Sequence, residues 1–143
     1  MSLFQDNFNI LLFGFIFSFF VFSILWLVQV IKKDAGWVDV GWSSSLSILV
    51  IIISIYSDGL LLRKILVSSF LLFWAIRLVT YIIKDRILSH EEDSRYKNLR
   101  NYWGEKANKK FFIFFTFQSF LVLLFAIPFL AIFNNSSPFN LLD

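Results

Sequence analysis

The sequence predicts an all-α fold: a polytopic transmembrane bundle of about four spans, with an amphipathic helix in its longest polar loop. Three observations carry that expectation. The 143 residues are 58% hydrophobic and only 16% charged, whereas soluble domains keep roughly a quarter of their residues charged. The mean hydropathy is +0.74. The apolar residues also fall into stretches of about 20, the length a helix needs to cross roughly 30 Å of hydrocarbon with every backbone polar group paired internally.

The first span, residues 8–31, is continuous. It is too long for a signal-peptide core and lacks a basic leader and a small-residue cleavage site, so it reads as a retained anchor. Residues 65–83 and 111–133 form the third and fourth spans, interrupted only by Arg77 in the former and by Gln118 and Pro128 in the latter. The second span, residues 38–56, is the weakest. Ser43, Ser44, Ser45 and Ser47 dilute its first half, which points to a short, tilted or partly interfacial helix. The joints at 32–37 and 57–64 are short, while 84–110 is long and polar. In it Tyr96, Leu99, Tyr102 and Trp103 suggest a surface helix with one apolar face. One transmembrane domain over 1–143 accounts for the whole length.

Charge sets the expected orientation. Lys32, Lys33, Lys84, Arg86, Arg95, Lys97, Arg100, Lys106, Lys109 and Lys110 all fall in the first and third joints, against Arg63 and Lys64 in the second. Basic flanking residues favour the cytoplasmic face, so both termini are expected on the opposite side. The net charge of +3 is therefore membrane-flanking charge and not a nucleic-acid footprint. With no cysteine, disulfides, thiolate catalysis and cysteine-ligated metals are excluded. His90 stands alone beside Glu91, Glu92 and Asp93, where zinc would need more ligands in fixed geometry, so a solvated loop and no metal are expected. Phosphate-binding glycine loops, nucleophile elbows and metalloprotease motifs do not occur. The twenty phenylalanines read as apolar bulk.

Two polar sets lie inside the spans. At 100° per residue, Asp39, Ser43, Ser47 and Ser54 fall within about 80° of one another, a stripe expected to face protein and to let helices approach and hydrogen-bond. Asp39 sits where a carboxylate can cap the second helix, or where it can serve as a buried functional group. On the third span Trp74, Arg77, Tyr81 and Lys84 follow i, i+3, i+7, i+10, placing an indole, a cation and a phenol on one face. Arg77 lies about six residues inside the span, roughly 9 Å by helix rise. From there it either snorkels to the headgroups or faces the bundle interior as part of a ligand site. Tyr81 is either an interfacial tyrosine or a proton donor.

The order Val38-Asp39-Val40-Gly41-Trp42, Arg77-Leu78 with Tyr81 and Arg86, Glu92-Asp93-Ser94-Arg95-Tyr96, Leu99-Arg100 and Trp103-Gly104, with Gln118 and Pro128 beyond, resembles a known family. It is the uncharacterised branch, catalogued as domain of unknown function 1295, of the steroid 5-alpha-reductase-like membrane proteins. The resemblance covers roughly residues 33–128 and implies a helical bundle. Characterised relatives of that family reduce a carbon–carbon double bond conjugated to a carbonyl, with hydride from NADPH and a lipid-phase substrate.

By the same resemblance, Arg77 and Arg86 fall where basic groups lie near the cofactor phosphates. Asp39 falls near an acidic position associated with substrate, and Trp74 takes the place of the active-site tyrosine. Such proteins carry a second half with an arginine-histidine-proline and tyrosine motif, which this sequence lacks. The expectation is an amino-terminal half, truncated or split and incomplete for catalysis alone, with Asp39 and Tyr81 as catalytic candidates and NADPH dependent on the second half. Membrane lipid and a second half-protein or homo-oligomer are the expected partners, and nucleic acid is not. The alternative is a non-enzymatic membrane protein that assembles with a partner or binds lipid.

Overall fold

The computed structural model describes residues 3–88 and 92–138, the side chains of 3–6, 86 and 87 excepted. The helices are α1 (Leu3–Lys32), α2 (Trp37–Tyr56), α3 (Leu61–Ile82), α4 (Ser94–Trp103) and α5 (Ala107–Phe133). A π-turn over Ile83–Ile87 extends α3, and a 3-10 turn over Gly104–Lys106 joins α4 to α5. There is no strand among the described residues. Four of these helical segments are long and apolar enough to cross a membrane, as the sequence predicts, and α4 is the helix expected in the polar loop. The fourth span starts earlier than its apolar run, because Ala107 to Lys110 continue the helix as a polar first turn.

α1, α2 and α5 pack as the core of the bundle, with the longest seam between α1 and α5. α3 lies against α2 and only lightly against α5, and so forms the periphery. This reverses the ranking read from hydropathy. The serine-diluted α2 is the most enclosed helix, with Val38, Leu46, Leu49, Val50 and Ile53 all buried. The reason is steric: a helix surrounded by protein needs small side chains for close approach more than it needs lipid-compatible bulk. Gly41 faces Leu25 and Phe22 of α1, and Gly14 faces Leu49 of α2.

The serine stripe faces protein, with Ser43 and Ser47 buried and Ser54 half-buried. The hydroxyls do not bridge helices, however. Ser43 donates to the Asp39 carbonyl at 3.0 Å and Ser47 to the Ser43 carbonyl at 2.9 Å, bonds within α2 itself. The small-polar bridge between helices is elsewhere: Ser18 of α1 donates to the Ser119 carbonyl of α5 at 3.4 Å, with both residues fully buried.

Two polar ends close the bundle. At one, Gly59 N–H donates to the Phe133 carbonyl at 2.9 Å, and the buried Arg63 guanidinium donates to the carbonyls of Asn135 at 2.6 Å and Ser137 at 3.3 Å. At the other, basic end, α4 lies across the α1–α2 turn. Tyr96 is buried, and Leu99 and Trp103 pack on the core. Tyr102 is 83% exposed because six residues from Tyr96 turn it about 240° away from the buried face.

Candidate functional site

At the basic end, three turns of polypeptide converge because α1 terminates abruptly. Lys33 adopts φ 56°, and its N–H bonds the Gln29 carbonyl at 2.9 Å, a left-handed helix stop formed without glycine. The chain then turns through Asp34, whose Oδ1 accepts the Gly36 N–H at 2.8 Å, and α2 begins at Trp37. Gly36 holds the N-cap position without a side-chain cap. Asp39 is thus inside the first turn, with its carboxylate directed to α4.

There, Tyr96 Oη donates to Asp39 Oδ1 at 2.9 Å and an Arg95 Nη donates to Asp39 Oδ2 at 3.1 Å. Arg95 also pairs with Asp93 at 3.0 Å, whose carboxylate caps α4 by accepting the Arg95 N–H. Burial, then the neighbouring Asp39 charge, raises the Tyr96 phenol above the ordinary range, so it remains a donor. The hydrogen bond from Arg95 to Asp93 in turn raises the Arg95 guanidinium.

Beside this pair stands a second set. Arg100 makes a forked contact with Glu92, Nε to Oε2 at 3.0 Å and Nη to Oε1 at 2.7 Å, and donates to Gln29 Oε1 at 3.1 Å. Glu92 Oε1 also accepts the Ala35 N–H at 3.0 Å. Arg100 lies 4.8 Å over the Phe111 ring. Gln29 is fully buried, and its Nε2 has no partner among the described residues. Burial raises the Asp34 carboxyl above its ordinary value, partly offset by the Gly36 N–H. Together the two sets pin α4 to α1, α2 and the turn between them. The satisfied bonding of Asp39 makes it first a fastening for α4.

Gln29, Asp34 and the fork between Glu92 and Arg100 were not singled out by sequence reasoning. The available signal was a lone amide in the last turn of an apolar span, next to an acidic turn and facing a loop of mixed charge.

The Arg77 set occupies a different face. Trp74 is 39% exposed and Tyr81 54% exposed, and Arg77 and Lys84 are exposed as well. The side chains share one face as expected, but that face points outward from peripheral α3 and not into the bundle. The cause is the packing of α3 through Ala75 and Ile82, the other side of the helix. Arg77 pairs with none of the described residues. It borders an open groove of about 650 Å³ with Phe73, Ile76 and Lys84, and a second recess of about 300 Å³ with Trp74 and Leu78. Tyr81 borders both. Trp74 meets Trp42 edge-on, ring centroids 6.3 Å apart, which ties this face to the start of α2.

The side chain of Arg86, and His90 entirely, lie outside the described residues. No group of three or more His, Cys, Asp or Glu side chains among the described residues is placed to hold a metal. For a dinucleotide, Arg77 and Lys84 fit the phosphates in charge and exposure, while the groove they border is too open to enclose a nicotinamide ring. Asp39 and Tyr81 do not converge on a common site, since Asp39 is bound to α4 and Tyr81 faces outward.

No match was found among the curated proteins or among the solved structures. A family profile does match, over residues 25–143, which takes in α2 to α5, the polar clasp on α4 and the Arg77 face. The chain belongs to the family described as protein of unknown function DUF1295.

Proposed function

We propose that this membrane bundle is the amino-terminal half of a reductase-like protein acting on a lipid-phase substrate with a carbon–carbon double bond conjugated to a carbonyl. The observation that carries the reading is Arg77: a forked cation near the basic end of a span, unpaired among the described residues and turned away from its own bundle. A charge so placed in a membrane marks a ligand or partner contact, and a guanidinium suits phosphate. The basic end lies on the cytoplasmic face, where a soluble dinucleotide is within reach, and both termini lie on the other.

In this reading Arg77 and Arg86 bind the phosphates of NADPH, and a second half closes the open groove. Bound there, NADPH would supply hydride for the carbon β to the carbonyl. This chain's part is to fix the phosphates, exclude water through Phe73 and Ile76, and supply a proton near the carbonyl end of the substrate. Tyr81, one helical turn from Arg77, has the phenol for that transfer. Trp74 does not, because its indole N–H is a donor that does not ionise usefully.

NADPH titration of the purified chain in detergent, alone and after co-expression with a candidate second half, tests this. Binding is expected only with the second half, and a lost arginine–phosphate contact should weaken it roughly tenfold or more in Arg77→Ala and Arg86→Ala. Unchanged binding would remove both arginines from the assignment. A second reading, non-enzymatic assembly with a partner or another copy, draws on the peripheral position of α3. Crosslinking in native membranes should then capture a specific partner through the α3 face, and a purely monomeric chain would count against it.

A further inference from the structure

The Arg77–Tyr81 ridge separates two recesses, one of about 650 Å³ and one of about 300 Å³. The larger has apolar walls at Phe73 and Ile76, 71% and 65% exposed, and becomes polar towards Lys84 and Asp85. Polarity along α3 therefore changes in the same direction as a bilayer leaflet, from acyl chain to headgroup. A single cation stands where the two recesses meet.

From this geometry we infer that the outer face of α3 binds one two-chain anionic phospholipid, its phosphate on Arg77 and one chain in each recess. Five features favour this occupant. The groove opens away from the bundle, onto the phase in which lipids lie. Arg77 is roughly 9 Å inside the span by helix rise, within snorkelling reach of the headgroups, where a lipid phosphate can meet it. Lys84, seven residues on and on the same face, adds a second cation against the lone carboxylate of Asp85, so the site favours a headgroup with net negative charge. The forked donors of Arg77 match phosphate oxygens. The aromatic rings of Trp74 and Tyr81 suit the boundary between chain and headgroup.

This inference does not rest on the reductase reading: a lipid phosphate and a dinucleotide phosphate would compete for Arg77, and failure of NADPH to bind would leave the lipid site standing. The test is native mass spectrometry of the full chain released from detergent after delipidation, with added phosphatidylglycerol, diacylglycerol or inorganic phosphate as separate probes. One retained phosphatidylglycerol per chain is expected, bound at least roughly tenfold more tightly than diacylglycerol. Arg77→Gln should abolish the preference and Lys84→Gln should reduce it. Both side chains are exposed, so helicity and melting of the variants should match the parent and separate lost binding from lost fold. Equal retention of diacylglycerol, undiminished retention in Arg77→Gln, or equally tight binding of inorganic phosphate would each overturn the proposal.

Discussion

Replacing Arg100 by alanine should be among the most damaging single changes at the basic end. The substitution removes the forked contact to Glu92 and the donor to Gln29 Oε1. It also removes the cation 4.8 Å over the Phe111 ring. The Glu92 side chain is only 9% exposed and would keep the donor it has in the Ala35 N–H. Breaking a buried pair from one side costs about 3–5 kcal/mol, because a charge is left without its partner. The Arg100 side chain is 19% exposed, so water can reach part of the vacated site and a loss of about 2–4 kcal/mol is the better expectation. Reversible unfolding in mixed micelles would measure it, through a cycle of Arg100→Ala, Glu92→Gln and the double variant. Contacting partners of this kind couple by about 0.5–3 kcal/mol. A coupling under roughly 0.5 kcal/mol, or an Arg100→Ala variant as stable as the parent, would refute the view that this fork holds α4 in place.

Tyr96→Phe keeps the buried ring but removes the donor to Asp39, and should cost about 1.5–3 kcal/mol in the same unfolding assay, as for a hydrogen bond to a charged group. Lys33→Gly should stabilise by about 1 kcal/mol in the same unfolding assay, because φ 56° strains any residue with a Cβ. Asp34→Asn retains an acceptor for the Gly36 N–H while removing a carboxylate whose folded pKa is raised by burial. The stabilising share of the protonated form is full below the unfolded value and is lost as pH rises through the folded one, so the advantage of the variant over the parent should grow on going from acid to neutral pH. Melting curves across that range decide it, and a constant difference would count against the assignment. Gly59→Ala should destabilise the opposite end, since a Cβ there collides with the carbonyl oxygen of Phe133 that the Gly59 N–H bonds; loss of that bond would be read as faster amide exchange.

Much of the architecture was legible because lipid imposes one rule on every span. Helix length and apolar continuity suffice to find α1, α3 and α5, and alternation of one apolar face suffices for α4. The place of α2 was not legible. Hydropathy measures compatibility with lipid, and the best-enclosed helix of a bundle has least need of it. Ser43, Ser45 and Ser47, which weaken α2 as a predicted span, are buried side chains small enough for neighbouring helices to approach closely. The direction of the Arg77 face was hidden for a related reason. Helical spacing unites Trp74, Arg77, Tyr81 and Lys84, but whether they face inward depends on which neighbours α3 acquires, and that information lies in the packing of the other helices.

The two polar groups of the chain thus have different physical characters, and the difference bears on function. At the α4 clasp three acids have bases: Asp39 with Arg95, Glu92 with Arg100, Asp93 with Arg95. A network matched in this way favours a single geometry and leaves little charge free for a ligand. Arg77 is the reverse, a cation in a span that pairs with no acid among the described residues. Its exposure costs nothing only if something outside the described bundle, whether lipid phosphate, dinucleotide or partner carboxylate, completes it. Fixing α4 across the α1–α2 turn holds α2 in register, and the contact of Trp42 with Trp74 passes that register to α3. The clasp is therefore the internally matched part of the chain, and the Arg77 face is the part whose charge is turned outward.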